Sequence, residues 1–128
     1  MREATLRRIS RLSESCNQML RTASVIGRDF DLPLLRVLSS EIPENEFLGG
    51  LDEALGIRII ESISGTPGGY RFGHALIQQA VYEEIAPMRR AYAHGAVGAA
   101  LEKLHQENPG EHASKLAHHF AEAQAVIG

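Results

Sequence analysis

The stretch "YRFGHALIQQAVYEEI", residues 70–85, carries a histidine where an alternating pattern gives way to a helical one. Tyr70 and Phe72 flank Arg71 with the period of two that marks a half-buried strand. From Leu76 onward Ile77, Ala80, Val81 and Ile85 recur at helical spacing. His74 therefore falls at or just before a first helical turn, where backbone N–H groups lack partners and the helix dipole is positive. That placement serves two chemistries equally well. The imidazole can cap the helix, or one of its N–H groups can add a donor to a site already suited to an anion such as a phosphate.

Other chemistry is poorly supplied. Among the six histidines, His112, His118 and His119 form the densest group. On a helix His112 and His119 would share a face about 10.5 Å apart along the axis. Zinc draws its nitrogen ligands to about 2.0–2.1 Å from one ion, and here Lys115 stands between the two rings, so no metal site is expected. Cys16 lies on the apolar stripe of its helix and reads as a buried structural thiol. No serine has a G-x-S-x-G context, and Glu83 and Glu84 are adjacent on a helix and face different ways. The lysines Lys103 and Lys115 follow Glu102 and Ser114, so no Gly-Lys dipeptide and no phosphate-binding loop exists. The sequence predicts neither catalysis nor a bound cofactor for this chain.

The elements that must position His74 follow from periodicity and punctuation. Leu6, Ile9 and Leu12 predict a short arginine-rich helix that ends near Ser13. Ser13 reads as the N-cap of the next helix, whose stripe of Cys16, Met19, Leu20, Ala23 and Ile26 ends at Gly27. Asp31 can cap a short helix carrying Leu34, Leu35 and Leu38, and Pro43 suits the first position of another with Phe47, Leu48, Leu51 and Leu55 on one face. "IRIIESI" (57–63) then reads as a strand, "SGTPGG" (64–69) as a turn and "YRF" as the returning strand. Three short helices, a hairpin and one more helix match the order of a winged helix over residues 13–86, with residues 1–12 as an incoming helix. Beyond Pro87, an alanine-rich helix from about Met88 to Gln106 carries Gly95 and Gly98, which a helix tolerates when a neighbour packs closely on its small-residue face. "ENPGE" breaks it, and Ala113, Leu116, Ala117, Phe120 and Ala121 predict a last helix. The expected fold is mainly α with a small β-hairpin, a winged helix followed by an antiparallel helical pair. Residues 87–128 would be a helical extension that begins a repeat array. The apolar ending "AVIG" points to a piece of something longer.

Composition narrows the function classes. The 128 residues are 44% hydrophobic and 23% charged, the balance of an ordinary soluble globular protein. Net charge is −3, which gives no global case for nucleic acid or acidic membranes. A lone cysteine excludes an internal disulfide and fits a reducing compartment, and the charged N-terminus is no signal peptide. No apolar run is long enough to span a membrane. A cytoplasmic location is expected. A stand-alone winged-helix transcription regulator remains the alternative function, but the third helix of the expected winged helix (44–56) opposes it. That helix carries Glu44, Glu46, Asp52 and Glu53 and no lysine or arginine, whereas duplex DNA requires phosphate neutralisation. Arg2, Arg7, Arg8 and Arg11 cluster elsewhere and read as a solvated or domain-contacting face.

Four blocks, "RLSESCNQMLRTASVIGRDFDLPLL", "LDEALGIRIIE", "YRFGHALIQQAVYEEI" and "HASKLAHHFAEA", together resemble one region of the STAND class of signalling ATPases. They look most like bacterial AAA-type members associated with LuxR-type transcriptional regulators, adenylate cyclases and kinases. The resemblance covers nearly the whole chain and implies a segment downstream of the nucleotide-binding core. In that family the winged helix packs on the ATPase domain and tetratricopeptide-like helices follow as sensor or scaffold. "FGHAL" resembles the Met-His-Asp motif, whose histidine contacts the β-phosphate of bound ADP and holds the closed, inactive state. By that match His74 is the nucleotide-sensing residue, the partners are a nucleotide-binding domain of the same parent chain and downstream helical repeats, and ADP or ATP with magnesium belongs to the parent. Gly73 stands where the motif has methionine, and Ala75 where it has aspartate.

Overall fold

The computed structural model describes residues 2–104. Six helices and three short strands follow in the order α1 (Arg2–Ser10), α2 (Glu14–Ile26), β1 (Asp29–Asp31), α3 (Leu32–Leu38), α4 (Glu44–Gly56), β2 (Ile60–Ser62), β3 (Gly69–Phe72), α5 (Ala75–Glu83) and α6 (Pro87–Leu104). The fold is mainly helical with a small antiparallel sheet, as the sequence predicts. The chain divides into two compact units, Met1–Glu84 and Ile85–Gly128. The expected last helix, with His112, His118 and His119, lies outside the described residues.

Local chemistry sets the helix ends. Ser13 caps α2 by accepting from the Cys16 N–H at 3.2 Å, and Asp31 caps α3 by accepting from the Leu34 N–H at 2.9 Å. Gly27 closes α2 at φ 144°, a backbone conformation that side chains disfavour. Pro43 is the N-cap of α4, one residue earlier than its expected first helical position, and it offers no side-chain acceptor. Glu44 and Glu46 in the first turn supply the negative charge that suits the positive end of that helix.

The sheet departs from the expected two-stranded hairpin. β1 pairs antiparallel with β3 (Phe30 opposite Tyr70), and β2 pairs antiparallel with β3 on its other side (Ile60 opposite Phe72). The order is therefore β1-β3-β2. "RDFD" shows no long alternating run, so its strand is not legible in the sequence: three residues form it because β3 offers a free edge. The expected strand over 57–63 shortens to Ile60–Ser62. Ile57 is instead the C-cap of α4, and Arg58 takes the left-handed region at φ 61°.

The core of the first unit lies between the helices and one face of this sheet. Cys16, Met19 and Leu20 of α2, Phe47, Leu51 and Ala54 of α4, and Phe30, Ile60 and Phe72 of the sheet are all buried in one cluster with Ile59 and Val81. Helices α2 and α4 approach closely at Gly50, where an added Cβ would stand 3.1 Å from Cys16 Cα and 3.0 Å from Met19 Sδ. Phe30 packs edge-on against Phe72 with centroids 5.6 Å apart. Arg36 joins α3 to the start of α4: its guanidinium donates to the carbonyls of Ser39 and Ile42 and lies 4.8 Å from the Phe47 ring centroid. In α6, Ala91, His94, Gly98 and Leu101 form a buried stripe at helical spacing. No described helix is long and apolar enough to cross a membrane.

Candidate functional site

His74 is the N-cap of α5. Its backbone is extended (φ −149°, ψ 141°), and its Nδ1 accepts the Leu76 N–H at 3.1 Å. A neutral imidazole has one donor and one acceptor nitrogen. With Nδ1 committed as acceptor, the proton belongs on Nε2, and the tautomer is set by the cap itself. The side chain is exposed. Capping and anion binding are thus compatible, because each uses a different nitrogen.

The sheet delivers His74 to its position. β1 and β2 both begin at the edge where β3 ends, so three chain segments meet around Gly73. On one side the Phe72 N–H donates to the Arg28 carbonyl at 2.9 Å, and Arg28 Nε reaches back to the Phe72 carbonyl at 3.5 Å. On the other side the Gly73 N–H donates to the Ile59 carbonyl at 2.9 Å. The Arg58 carbonyl oxygen would stand only 2.7 Å from a Cβ at Gly73, closer than any real side chain allows. Gly73 is glycine because the α4–β2 connection crosses directly over it. The helix that follows is held too: Gln78 of α5 donates through Nε2 to the Ser24 carbonyl of α2 at 2.7 Å.

This edge is basic. Arg28, Arg58 and His74 are exposed, and the first turn of α5 has no acidic residue. Neither Arg28 nor Arg58 forms an ion pair among the described residues, whereas Arg71 is taken by Asp29 at 3.3 Å. Arg8 of α1 donates to the Ile57 carbonyl at 2.9 Å, one residue before Arg58. No family model, curated protein or solved structure matches this chain.

The other residues singled out by sequence fall elsewhere. Cys16 is fully buried, and burial, with a smaller contribution from the Glu53 carboxylate, pushes its thiol up to about 12. A thiol held protonated is a poor nucleophile. Glu53 itself ties α4 to the start of α2, accepting from the Ser13 N–H at 3.1 Å and from the Ser13 hydroxyl at 2.6 Å. Glu44, Glu46 and Asp52 remain exposed along α4. Among the described residues no group of three or more His, Cys, Asp and Glu is placed to hold a metal ion. Sequence reasoning missed Arg28 and Arg58. Their shared edge depends on β1 joining β3, and nothing in the local sequence around either arginine signals that pairing.

Proposed function

We propose that this chain is a non-catalytic regulatory segment of a STAND-type signalling ATPase, a winged helix with the start of a helical repeat region. It docks on a nucleotide-binding domain and stabilises the ADP-bound, inactive state. His74 senses the nucleotide by donating from Nε2 to a phosphate oxygen. The observation that carries the reading is the bond from the Leu76 N–H to His74 Nδ1, which orients the ring and reserves its other nitrogen as a donor. The resemblance of "FGHAL" to the Met-His-Asp motif supports the same role at the histidine, while Gly73 departs from the motif's methionine at a position that here admits no side chain. The exposed carboxylates of α4 weigh against the alternative, a stand-alone DNA-binding regulator.

A ligand shifts a conformational equilibrium only by its differential affinity for the two states. A hydrogen bond to a charged group contributes about 1.5–3 kcal/mol, so removing one made only in the closed state shifts the closed-to-open ratio by about 10- to 150-fold. The test uses the parent protein that joins this segment to a P-loop domain. His74→Ala and His74→Ser are both expected to release ADP faster and to signal without stimulus. Serine retains an oxygen that can cap α5 but does not reach a phosphate, so it separates the two roles. An ADP off-rate unchanged in His74→Ser overturns the proposal.

A further inference from the structure

Away from the His74 edge, helices α1, α2 and α5 border a cavity of about 250 Å³. Leu6 and Ile9 of α1 and Val81 of α5 supply its apolar wall, and Ile9 and Val81 are buried. Its polar lining comes from Ser10, Asn17, Arg21 and Glu84. The hydrogen bonds these residues already make decide what each still offers. Asn17 spends both amide hydrogens on the carbonyls of Leu12 and Ser13, each at 3.1 Å, which leaves Oδ1 as an acceptor. The Ser10 hydroxyl donates to the Arg7 carbonyl at 2.7 Å, and its oxygen keeps lone pairs that can accept. The Glu84 carboxylate forms no ion pair among the described residues. Three acceptors therefore line the cavity, and Arg21 supplies the positive charge. Its ion pair with Glu14 is 3.5 Å long, and the Glu14 side chain is 83% exposed. Exposed pairs of that kind contribute little, so Arg21 readily exchanges this partner for another carboxylate.

We propose that this cavity binds a free α-amino acid with an apolar side chain. A primary ammonium presents three N–H donors, the number that Ser10, Asn17 and the Glu84 carboxylate can accept. The α-carboxylate meets the guanidinium fork of Arg21, which stands one turn along α2 from Asn17, about 6 Å by helix rise. Leu6, Ile9 and Val81 take the side chain. The charge pattern selects the zwitterion: a simple amine lacks the anion that Arg21 draws, and a simple acid lacks the cation that Glu84 draws. The volume lies just under the range of about 300–1,000 Å³ typical of drug-sized ligands, which suits a molecule as small as leucine. A bound amino acid bridges three helices and fastens α1 to the rest of its unit. The site shares no residue with the His74 edge, so it does not depend on the nucleotide-sensing reading.

The test titrates the isotope-labelled 128-residue chain with L-leucine and follows backbone and side-chain amide resonances. Leucine is expected to shift Ser10, Val81, Glu84 and the Asn17 side-chain amide, with a millimolar dissociation constant. 3-Methylbutylamine, which lacks the carboxylate, and 4-methylpentanoate, which lacks the ammonium, should each bind about three- to tenfold more weakly, the scale of one exposed charged contact. Glycine keeps both charges without the side chain and should also bind more weakly than leucine. Arg21→Gln and Glu84→Gln should each weaken leucine by a similar factor. Arg21→Gln should not weaken the amine, and Glu84→Gln should not weaken the acid. The ligand series needs no variant, so a variant that fails to fold leaves the proposal to be decided by the analogues. Glycine, the amine or the acid binding as tightly as leucine overturns it. So does an absence of shifts at millimolar leucine. Shifts of the same resonances with protein concentration alone would place a second copy in the cavity and overturn it too.

Discussion

Helices α4 and α5 begin in opposite ways. α4 follows a proline that offers no side-chain acceptor, and it supplies Glu44 and Glu46 to its own positive end. α5 follows a histidine that caps with one nitrogen, and its first turn holds no acidic residue. The helix dipole acts at both ends alike, favouring negative charge over the first turn by about 0.3–1 kcal/mol at exposed sites. At α4 that demand is met from within the helix, so an external polyanion meets repulsion. At α5 no carboxylate of the first turn meets it, and only the His74 cap occupies that end. Two ends of the same secondary structure thus acquire opposite charge through a handful of side chains.

The sharpest way to break this contrast is to move the α5 end. Gly73→Ala forces a Cβ to within 2.7 Å of the Arg58 carbonyl, a backbone atom that cannot rotate away. Overpacking of this kind costs about 1–3 kcal/mol or more. The α4–β2 connection must shift, and with it Arg58. Gly49, on the exposed side of α4, is the control, because a methyl group added there meets nothing within 4 Å. Gly49→Ala is expected to stabilise by about 0.5–1 kcal/mol, the usual gain inside a helix. Chemical denaturation of the two variants should therefore move in opposite directions. Equal midpoints would mean that the close crossing at Gly73 does not define the edge.

The α4 side carries a second handle in Cys16, which lies against the approach of Gly50. Its thiol is raised from 9.0 to about 12 in the folded state by burial first and by Glu53 second. A group whose folded value lies above its unfolded one contributes stability that is whole below the unfolded value and is lost as pH rises towards the folded one. That contribution is intact below pH 9 and fades between pH 9 and about 12. Tyrosines and lysines also titrate in that window, so the comparison is with Cys16→Ala, which loses packing at every pH but lacks the thiol. Melting temperatures of the two proteins should converge as pH rises from about 9 towards about 11, inside the window set by the two thiol values. A constant gap across that range would show that the thiol's titration does not contribute.

Much of this arrangement is readable from local chemistry, and the part that is not has one cause. Ser13, Asp31 and Gly27 announce their caps because a hydroxyl, a carboxylate and a flexible backbone act within three or four residues. The hairpin turn and the apolar stripes of α2 and α4 are equally local. His74 is visible because strand and helix periods collide there. β1 is invisible because three residues with only Phe30 buried carry no period, and the strand exists only through its partner β3. Arg28 and Arg58 stand 30 residues apart in sequence and share an edge only because β1 and β2 pair with opposite sides of β3. The same reasoning explains Gly73, whose lack of a side chain is dictated by the carbonyl of Arg58 and not by its own φ.

The smallest effect separates the two nitrogens of His74 in the chain by itself. The bond from the Leu76 N–H to Nδ1 satisfies one of the orphan donors of α5. Removing an N-cap acceptor costs about 0.5–2 kcal/mol, typically about 1. His74→Ala should lower the stability of the 128-residue chain by that amount, and His74→Ser should recover most of it, since a serine oxygen at the N-cap reaches the same N–H. Asparagine should behave like serine. None of these three variants retains the Nε2 donor, so each is expected to release ADP faster in the parent protein. Stability and ADP release would then split: the first follows the capping atom and the second follows Nε2. Calorimetric melting of the chain beside the ADP off-rate of the parent reads the two quantities. If serine and asparagine leave the chain as unstable as alanine, the ring is held by something other than its cap, and the tautomer that makes Nε2 a donor loses its structural cause.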